Sequence, residues 1–469
     1  MKKSIFLLII VFTATLLSFT EEKTENSGKN RKLVNIIFSG KIENSNFDTI
    51  SVFNNNRELL KTIRCKSDHT FRDTLKLDEG YYKLRIGREY TQVYLKAQFD
   101  LSLSLDTKEF DESIVYKGVG SKENNYLAQK ILLRESFGKL NSPRYHASLS
   151  EEAFLKLTDS LHTVTNNLFK ASQNVLDPDF KFIESKSLEF EKLNKISHFE
   201  GMRRFFTENP DFKVSDNYPN PFANIDLSNE KFLISPDYPN FIQSYLRKKT
   251  RDKINESDKS IDFILEYLKT IQSEVTNAKI IEELAYSIGK RDFSNSSQKE
   301  SLYAQMKPLI SNKKHLAEIT EKYKKLKKIE KGSISPVFEL SDINGKLVSL
   351  KSLQGKLVYI DIWAPWCMPC IKEIPSLKKM EEHYQGKEIE FVSICVRDTE
   401  ERWRSTVAKK ELGGIQLFAP DNSISFFKDY GLEGIPRFIL LGKDGRIIDA
   451  DAKRPSDPML NAEIESYLY

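Results

Sequence analysis

Cys367 and Cys370 are two of only four cysteines in this 469-residue chain, and Met368 and Pro369 are all that separates them. A dithiol at that spacing can close to a disulfide and reopen, so the chemistry it points to is thiol–disulfide exchange. Other uses of a Cys-x-x-Cys pair fit less well. A structural zinc site needs a second ligand pair, but Cys65 and Cys395 stand alone and the six histidines form no His-x-x-x-His pattern. Haem attachment needs His directly after the second cysteine, where this chain has Ile371. No metal and no cofactor is expected.

The flanking segments say how the dithiol is held. Leu357-Val358-Tyr359-Ile360-Asp361-Ile362-Trp363 places six apolar residues around one carboxylate and reads as a buried strand. Trp363-Ala364-Pro365-Trp366 leads from it to the dithiol. Beyond Cys370, the positions Ile371, Ile374, Leu377 and Met380 repeat at helical spacing, and Pro369 suits a first turn, where its missing N–H costs nothing. Cys367 then faces the positive end of a helix, which favours thiolate over a thiol of pKa about 8.5. Cys367 is accordingly the attacking sulfur and Cys370 the resolving one. Asp361 reads either as a polar residue on an exposed strand face or as a buried acid, since Tyr359 and Trp363 share its face. Burial would raise its pKa and let it exchange a proton with Cys370.

Trp363–Cys370, with Pro375 eight residues beyond Cys367, resembles the active site of the thioredoxin family. Pro336–Leu340 and Asp342–Leu350 resemble its TlpA-like (ResA/AhpC-TSA-type) exported branch, in which a hairpin precedes the core fold. Gly434-Ile435-Pro436 ahead of Arg437–Leu441 matches the family's cis-proline loop. The resemblance covers residues 333–469 and implies a thioredoxin fold there. It places a buried carboxylate at Asp361 and a cis peptide bond at Pro436, against the usual trans preference of X–Pro bonds. The Ile435 backbone would then turn toward the dithiol and pair with a substrate strand. Trp366, Ile435 and Arg437 become the docking residues. Arg437 departs from the small residue common at its position, and reads either as a bias toward anionic partners or as a solvated arginine. Glu373 falls where TlpA-like proteins often have Glu, and electrostatics at a helix start account for it without a catalytic role.

The function expected is an exported oxidoreductase that exchanges disulfides with proteins, as a reductant. Met-Pro between the cysteines puts neither a charge nor a histidine beside the thiolate. Potentials across this fold run from about −270 to about −120 mV, roughly 7 kcal/mol. The alternatives are a peroxiredoxin-type peroxidase, disfavoured by the tandem cysteines, and a non-catalytic envelope binding protein.

Net charge is +5, from 72 basic and 67 acidic residues spread along the chain, which implies no nucleic-acid partner. The stretch Lys322–Lys331 reads as a solvated helix face before a Gly332-Ser333 linker. Residues 1–20 read as a secretory signal: Lys2 and Lys3, then the apolar stretch Ile5–Leu17, shorter than the ~20 residues of a spanning helix. The expected location is the periplasm or cell envelope, with membrane contact only if that signal is retained. The expected partners are cysteine-containing exported proteins and an electron donor or acceptor. Cys65 and Cys395 read as free thiols, Cys395 as a core residue of the strand Phe391–Val396, with a bridge between the two as the alternative.

The fold class expected is an N-terminal β-sandwich, a mainly α-helical middle and a C-terminal α/β thioredoxin fold. Alternating segments such as Tyr81–Ile86 and Phe99–Leu105 make residues 31–118 a sandwich of six to eight strands, resembling a β-domain of unknown function found ahead of TlpA-like domains in Bacteroidetes. Residues 119–331 read as helical, with a capping box at Ser148 and Glu151 and helices over 150–175, 180–207, 238–252, 258–289 and 298–331. Phe205-Phe206 reads as helix-packing core.

Overall fold

The computed structural model describes residues 35–254, 261–419, 425–432 and 434–468, so the export signal read at 1–20 lies outside the described residues. The chain divides into two units, 35–142 with Ser160–Phe182, and Pro143–Asp159 with 183–468.

In the first unit, strands β1 (Ile36–Glu43), β2 (Thr49–Phe53), β3 (Leu59–Arg64), β4 (Thr70–Leu75), β5 (Gly80–Ile86), β6 (Glu89–Leu95), β7 (Asp100–Asp106) and β8 (Val115–Val119) form two four-stranded sheets. Their orders are β4-β1-β7-β8 and β3-β2-β5-β6. Alternation does the sorting: β7 buries Leu101, Leu103 and Leu105 and turns Ser102 and Ser104 the other way. Helix α1 (Ser121–Ser136) is pinned to β6 by Asn124, whose amide exchanges hydrogen bonds of 2.8 and 2.9 Å with the main chain of Tyr94.

The helical stretch continues through α2 (Pro143–Ala147), α3 (Glu151–Ser172), α4 (Pro178–Phe206), α5 (Tyr238–Lys253), α6 (Phe263–Glu274), α7 (Ala278–Arg291), α8 (Lys299–Met306) and α9 (Lys313–Lys328). Several sequence expectations are corrected here. The helix expected over 258–289 is two, because Val275 is extended and the Asn277 side chain accepts the Lys279 and Ile280 N–H groups, starting α7 afresh. The helix expected over 298–331 is also two. Pro308 has no N–H to carry the first onward, and Asn312 caps the second by accepting from Lys314 and His315. The capping box at Ser148 does not form: Ser150 accepts the Ala153 N–H at 3.2 Å, while Ser148 donates to the Tyr145 carbonyl. Phe205 and Phe206 are not core, being 76% and 36% exposed at the end of α4.

The C-terminal fold is built on a seven-stranded sheet of order β10-β9-β13-β12-β11-β14-β15. Its elements are the hairpin β9 (Glu339–Asp342) and β10 (Leu347–Ser349), β11 (Leu357–Trp363), α10 (Met368–His383), β12 (Ile389–Val396), α11 (Glu400–Lys410), β13 (Ile415–Ala419), α12 (Ser425–Asp429), β14 (Arg437–Leu441), β15 (Ile447–Asp449) and α13 (Leu460–Leu468). Strand β11 runs parallel to β12 and antiparallel to β14, and all seven of its residues are buried, as a central strand covered on both faces requires. Val358, Ile360 and Ile362 fill the core on one face, and Leu357 and Tyr359 the core on the other.

The Gly332-Ser333 segment is tied down rather than loose. Gly332 donates to Ile447 O (2.7 Å), Ile447 to Ser333 O (2.9 Å) and Ser335 to Gly445 O (3.1 Å). Leu326, near the end of α9, packs against both the helical core and the core of the C-terminal sheet, and Ile329 is buried in the latter.

Candidate active site

Helix α10 starts at the dithiol. Cys367 is its N-cap residue, and its sulfur accepts the Cys370 N–H at 3.3 Å; Pro369 occupies the first turn. The two sulfurs are joined as a disulfide across a Cα–Cα distance of 5.3 Å. They sit in an apolar cluster with Trp363, Ala364, Cys395 and Trp403, and are only 3% and 4% exposed. The flanks reach solvent: Trp366 and Met368 are exposed. The Trp366 indole N–H donates to the Arg397 carbonyl at 3.0 Å, which ties the residue beside the dithiol to the end of β12. Arg397 adopts a left-handed conformation (φ 54°) there.

Asp361 is buried and its Oδ1 has no hydrogen-bond partner. Burial first, then the charges of Glu373 and Glu381, push its carboxyl up to about 8. Glu381 is itself pushed up to about 7, chiefly by burial. Glu373 is also buried, but it is satisfied: it accepts from the Ser456 N–H (3.0 Å) and hydroxyl (3.1 Å), with the Arg454 guanidinium at 3.8 Å. It lies beyond the first turn of α10, so helix-start electrostatics does not account for it. Its role is to hold the loop around Ser456 against the redox helix while its charge bears on Asp361.

The Ile435–Pro436 peptide bond is cis. Ile435 packs partly against the core of the sheet and partly against the cluster around the disulfide, so the loop abuts the dithiol. The Arg437 guanidinium pairs with Asp451 at 2.6 Å and is largely covered, rather than free to meet a ligand. Cys395 is a buried free thiol pushed up to about 12 by burial and then by the charges of Asp398 and Asp361, which keeps it protonated and inert at neutral pH. Cys65, half-buried in the first unit, is also free, and burial raises its pKa.

Three contributors escaped the sequence reading. Glu381 falls on the helical period of α10 without any local motif, the Arg397 contact is made by main chain, and Ser456 lies 83 residues from Glu373. Only the alternation of charged and apolar residues along α10 hinted at the first.

Residues 330–466 match the Redoxin family model. Over 126 residues the chain is 31% identical to the thiol-disulfide oxidoreductase ResA of Bacillus cereus, a match spanning 27% of this chain and 72% of the relative. The chain belongs to the ResA-type thiol-disulfide oxidoreductases. Its ResA-like part is also 26% identical over 133 residues to the Bacillus subtilis ResA, covering 28% of this chain and 73% of that one. Among solved structures it is similar to the thioredoxin domain of a Bacteroides vulgatus thiol-disulfide oxidoreductase, at 26% identity and a TM-score of 0.28, covering 30% of this chain and 99% of that one. As a ResA-type oxidoreductase it carries the Cys367–Cys370 pair within the matched region, and residues ahead of 330 lie outside that family match.

Proposed function

We propose that the protein is an exported reductant of disulfides in other exported proteins, with Cys367 as nucleophile, Cys370 as resolving thiol and Asp361 as proton acceptor. In the reduced form, the Cys367 thiolate attacks one sulfur of a client disulfide. The client S–S bond breaks, its other sulfur leaves as a thiolate that takes a proton from water, and Cys367 is left in a mixed disulfide. Cys370 then gives its proton to the Asp361 carboxylate and attacks the Cys367 sulfur. The client's second thiolate departs, and the Cys367–Cys370 disulfide remains. Two electrons have passed to the client, and a dithiol donor must restore the reduced pair.

The observation that carries this reading is a disulfide at a helix N-cap, with a buried carboxyl group whose Oδ1 has no partner on the strand that leads to it. The reducing direction is supported by the linker between the sulfurs: Met368 and Pro369 bring no positive charge, so the helix start is the main support for the thiolate. Export is supported by the signal-like composition of residues 1–20. Trp366, Ile435 and Pro436 form the face on which a client strand docks.

The test is reduction of insulin with a catalytic supply of dithiothreitol. The wild-type chain should accelerate it and Cys367→Ser should not. Equal rates would remove the exchange reading, and peroxide consumption without insulin reduction would move the protein to the peroxidases.

A further inference from the structure

The cis-proline loop opens into a groove of about 1270 Å³ whose far wall is not part of the ResA-like fold at all. One side is formed by Ile435 and Pro436, with the α12 segment around Lys428; the other is the face of α9 that carries Lys322 and Lys325. Both walls belong to one unit. The anchoring of α9 through Leu326, Ile329 and the hydrogen-bonded 332–335 segment sets its position against the catalytic core.

Two features identify the occupant. Ile435 lies in the groove wall outside any strand, and its main-chain N–H and C=O have no partner among the described residues, the condition under which an extended chain can add by main-chain pairing. The lining is also biased in charge, with six basic side chains against four acidic ones. Two acid–base pairs within the lining cancel, Glu318 with Lys290 and Asp451 with Arg437, which leaves four basic side chains against two acidic ones. Lys325 and Lys428, on opposite walls, are exposed and carry no ion pair among the described residues.

We infer that α9 and the cis-proline loop together form a client-binding groove, and that it takes an extended, cysteine-bearing polypeptide segment with acidic side chains beside the cysteine. The inference rests on the exchange function proposed above. It gives the helical region a share in choosing clients: the dithiol acts on any accessible disulfide, and the groove favours acidic ones. Attraction between exposed charges is modest and screened by salt, so each lysine contributes about threefold and the pair about tenfold.

The experiment uses the reduced full-length chain and two cysteine peptides activated as neutral 2-thiopyridyl disulfides, one flanked by Asp and one by Lys. Bis(2-hydroxyethyl) disulfide serves as a small neutral control. Expected is a kcat/KM about tenfold higher for the acidic peptide, falling toward parity at high salt. Lys325→Glu, which replaces one attraction by a repulsion, should bring that ratio to about parity, and Lys325→Glu/Lys428→Glu should invert it, while the neutral disulfide is reduced within twofold of wild type by every variant. An acidic-to-basic ratio near one in the wild type, or a ratio untouched by Lys325→Glu, would overturn the inference while leaving exchange intact. A wild-type chain inert toward the neutral disulfide as well would refute the exchange reading, and the groove with it.

Discussion

Replacing Asp361 by Asn should make the C-terminal fold more stable, and increasingly so as pH rises. The structure holds this carboxyl at about 8, against its ordinary 3.8, mainly because it is buried. Between those values the unfolded chain has released the proton and the folded chain still binds it. Stability therefore falls as pH rises from about 4, and levels off once pH passes the folded-state value. At 1.36 kcal/mol per pH unit, the wild-type penalty is about 2 kcal/mol at pH 5 and about 6 kcal/mol at pH 9. The Asn variant carries none of it, so its advantage should grow by about 4 kcal/mol over that interval. All three tryptophans, Trp363, Trp366 and Trp403, lie in the C-terminal fold, so urea unfolding followed by tryptophan fluorescence reports on that fold within the full chain. With a urea slope of about 2 kcal/mol per molar, the gap between the two midpoints should widen by about 2 M from pH 5 to pH 9. The disulfide form should be used, so that no active-site thiol titrates. Midpoints that shift in parallel for the two proteins would refute the assignment of Asp361 as a buried, proton-retaining acid.

Cys370→Ser should leave the first attack intact and accumulate a covalent Cys367–client adduct, visible as a dithiothreitol-sensitive band on non-reducing gels; recovering no adduct from cells would count against the exchange mechanism. Glu373→Gln removes a charge that raises Asp361 while leaving an amide oxygen to accept from Ser456, so the pH midpoint of mixed-disulfide resolution should move down from about 8; an unmoved midpoint would show that Glu373 does not act on Asp361. Leu326→Ala trims a side chain shared by two cores, and should cost the C-terminal fold about 2 kcal/mol by the same tryptophan readout, although no residue of the thioredoxin fold is altered.

The parts of the molecule legible in sequence are those whose signals are local. The seven residues of β11, the N-cap cysteine and the first-turn proline are each stated by neighbouring residues. The cis bond at Pro436 is different: residue preference alone points to trans, and only the family resemblance pointed the other way. Long-range contacts were beyond reach. Nothing near Glu373 announces Ser456, and nothing in the lysine-rich run at 322–331 says that Leu326 and Ile329 dock on the catalytic core. Helix boundaries failed where one short capping residue outweighed an apolar period that continued through it, as at Asn277 and Asn312. Phe205 and Phe206 failed for another reason, since composition assigns aromatic pairs to the core and only the position of a helix end shows that these two project from it.

The proposed roles would resolve a conflict inherent in dithiol exchange, in which one sulfur must lose its proton early and the other must keep it until the mixed disulfide has formed. Helix α10 treats the two unequally. Cys367 lies at the cap, where its sulfur accepts an N–H; Cys370 lies inside the first turn and supplies that N–H, so its own sulfur gains no such donor. What Cys370 needs is a local acceptor at the moment of resolution. An ordinary carboxylate near 3.8 would be a poor one, because taking a proton from a thiol near 8.5 would run uphill by roughly 6 kcal/mol. Raised to about 8, Asp361 is a far better acceptor for a thiol's proton than an ordinary carboxylate. In the role proposed for Asp361, the burial that makes the acid expensive to the fold also makes it useful to the reaction, and the stability gained by Asp361→Asn should come with slower resolution of the mixed disulfide.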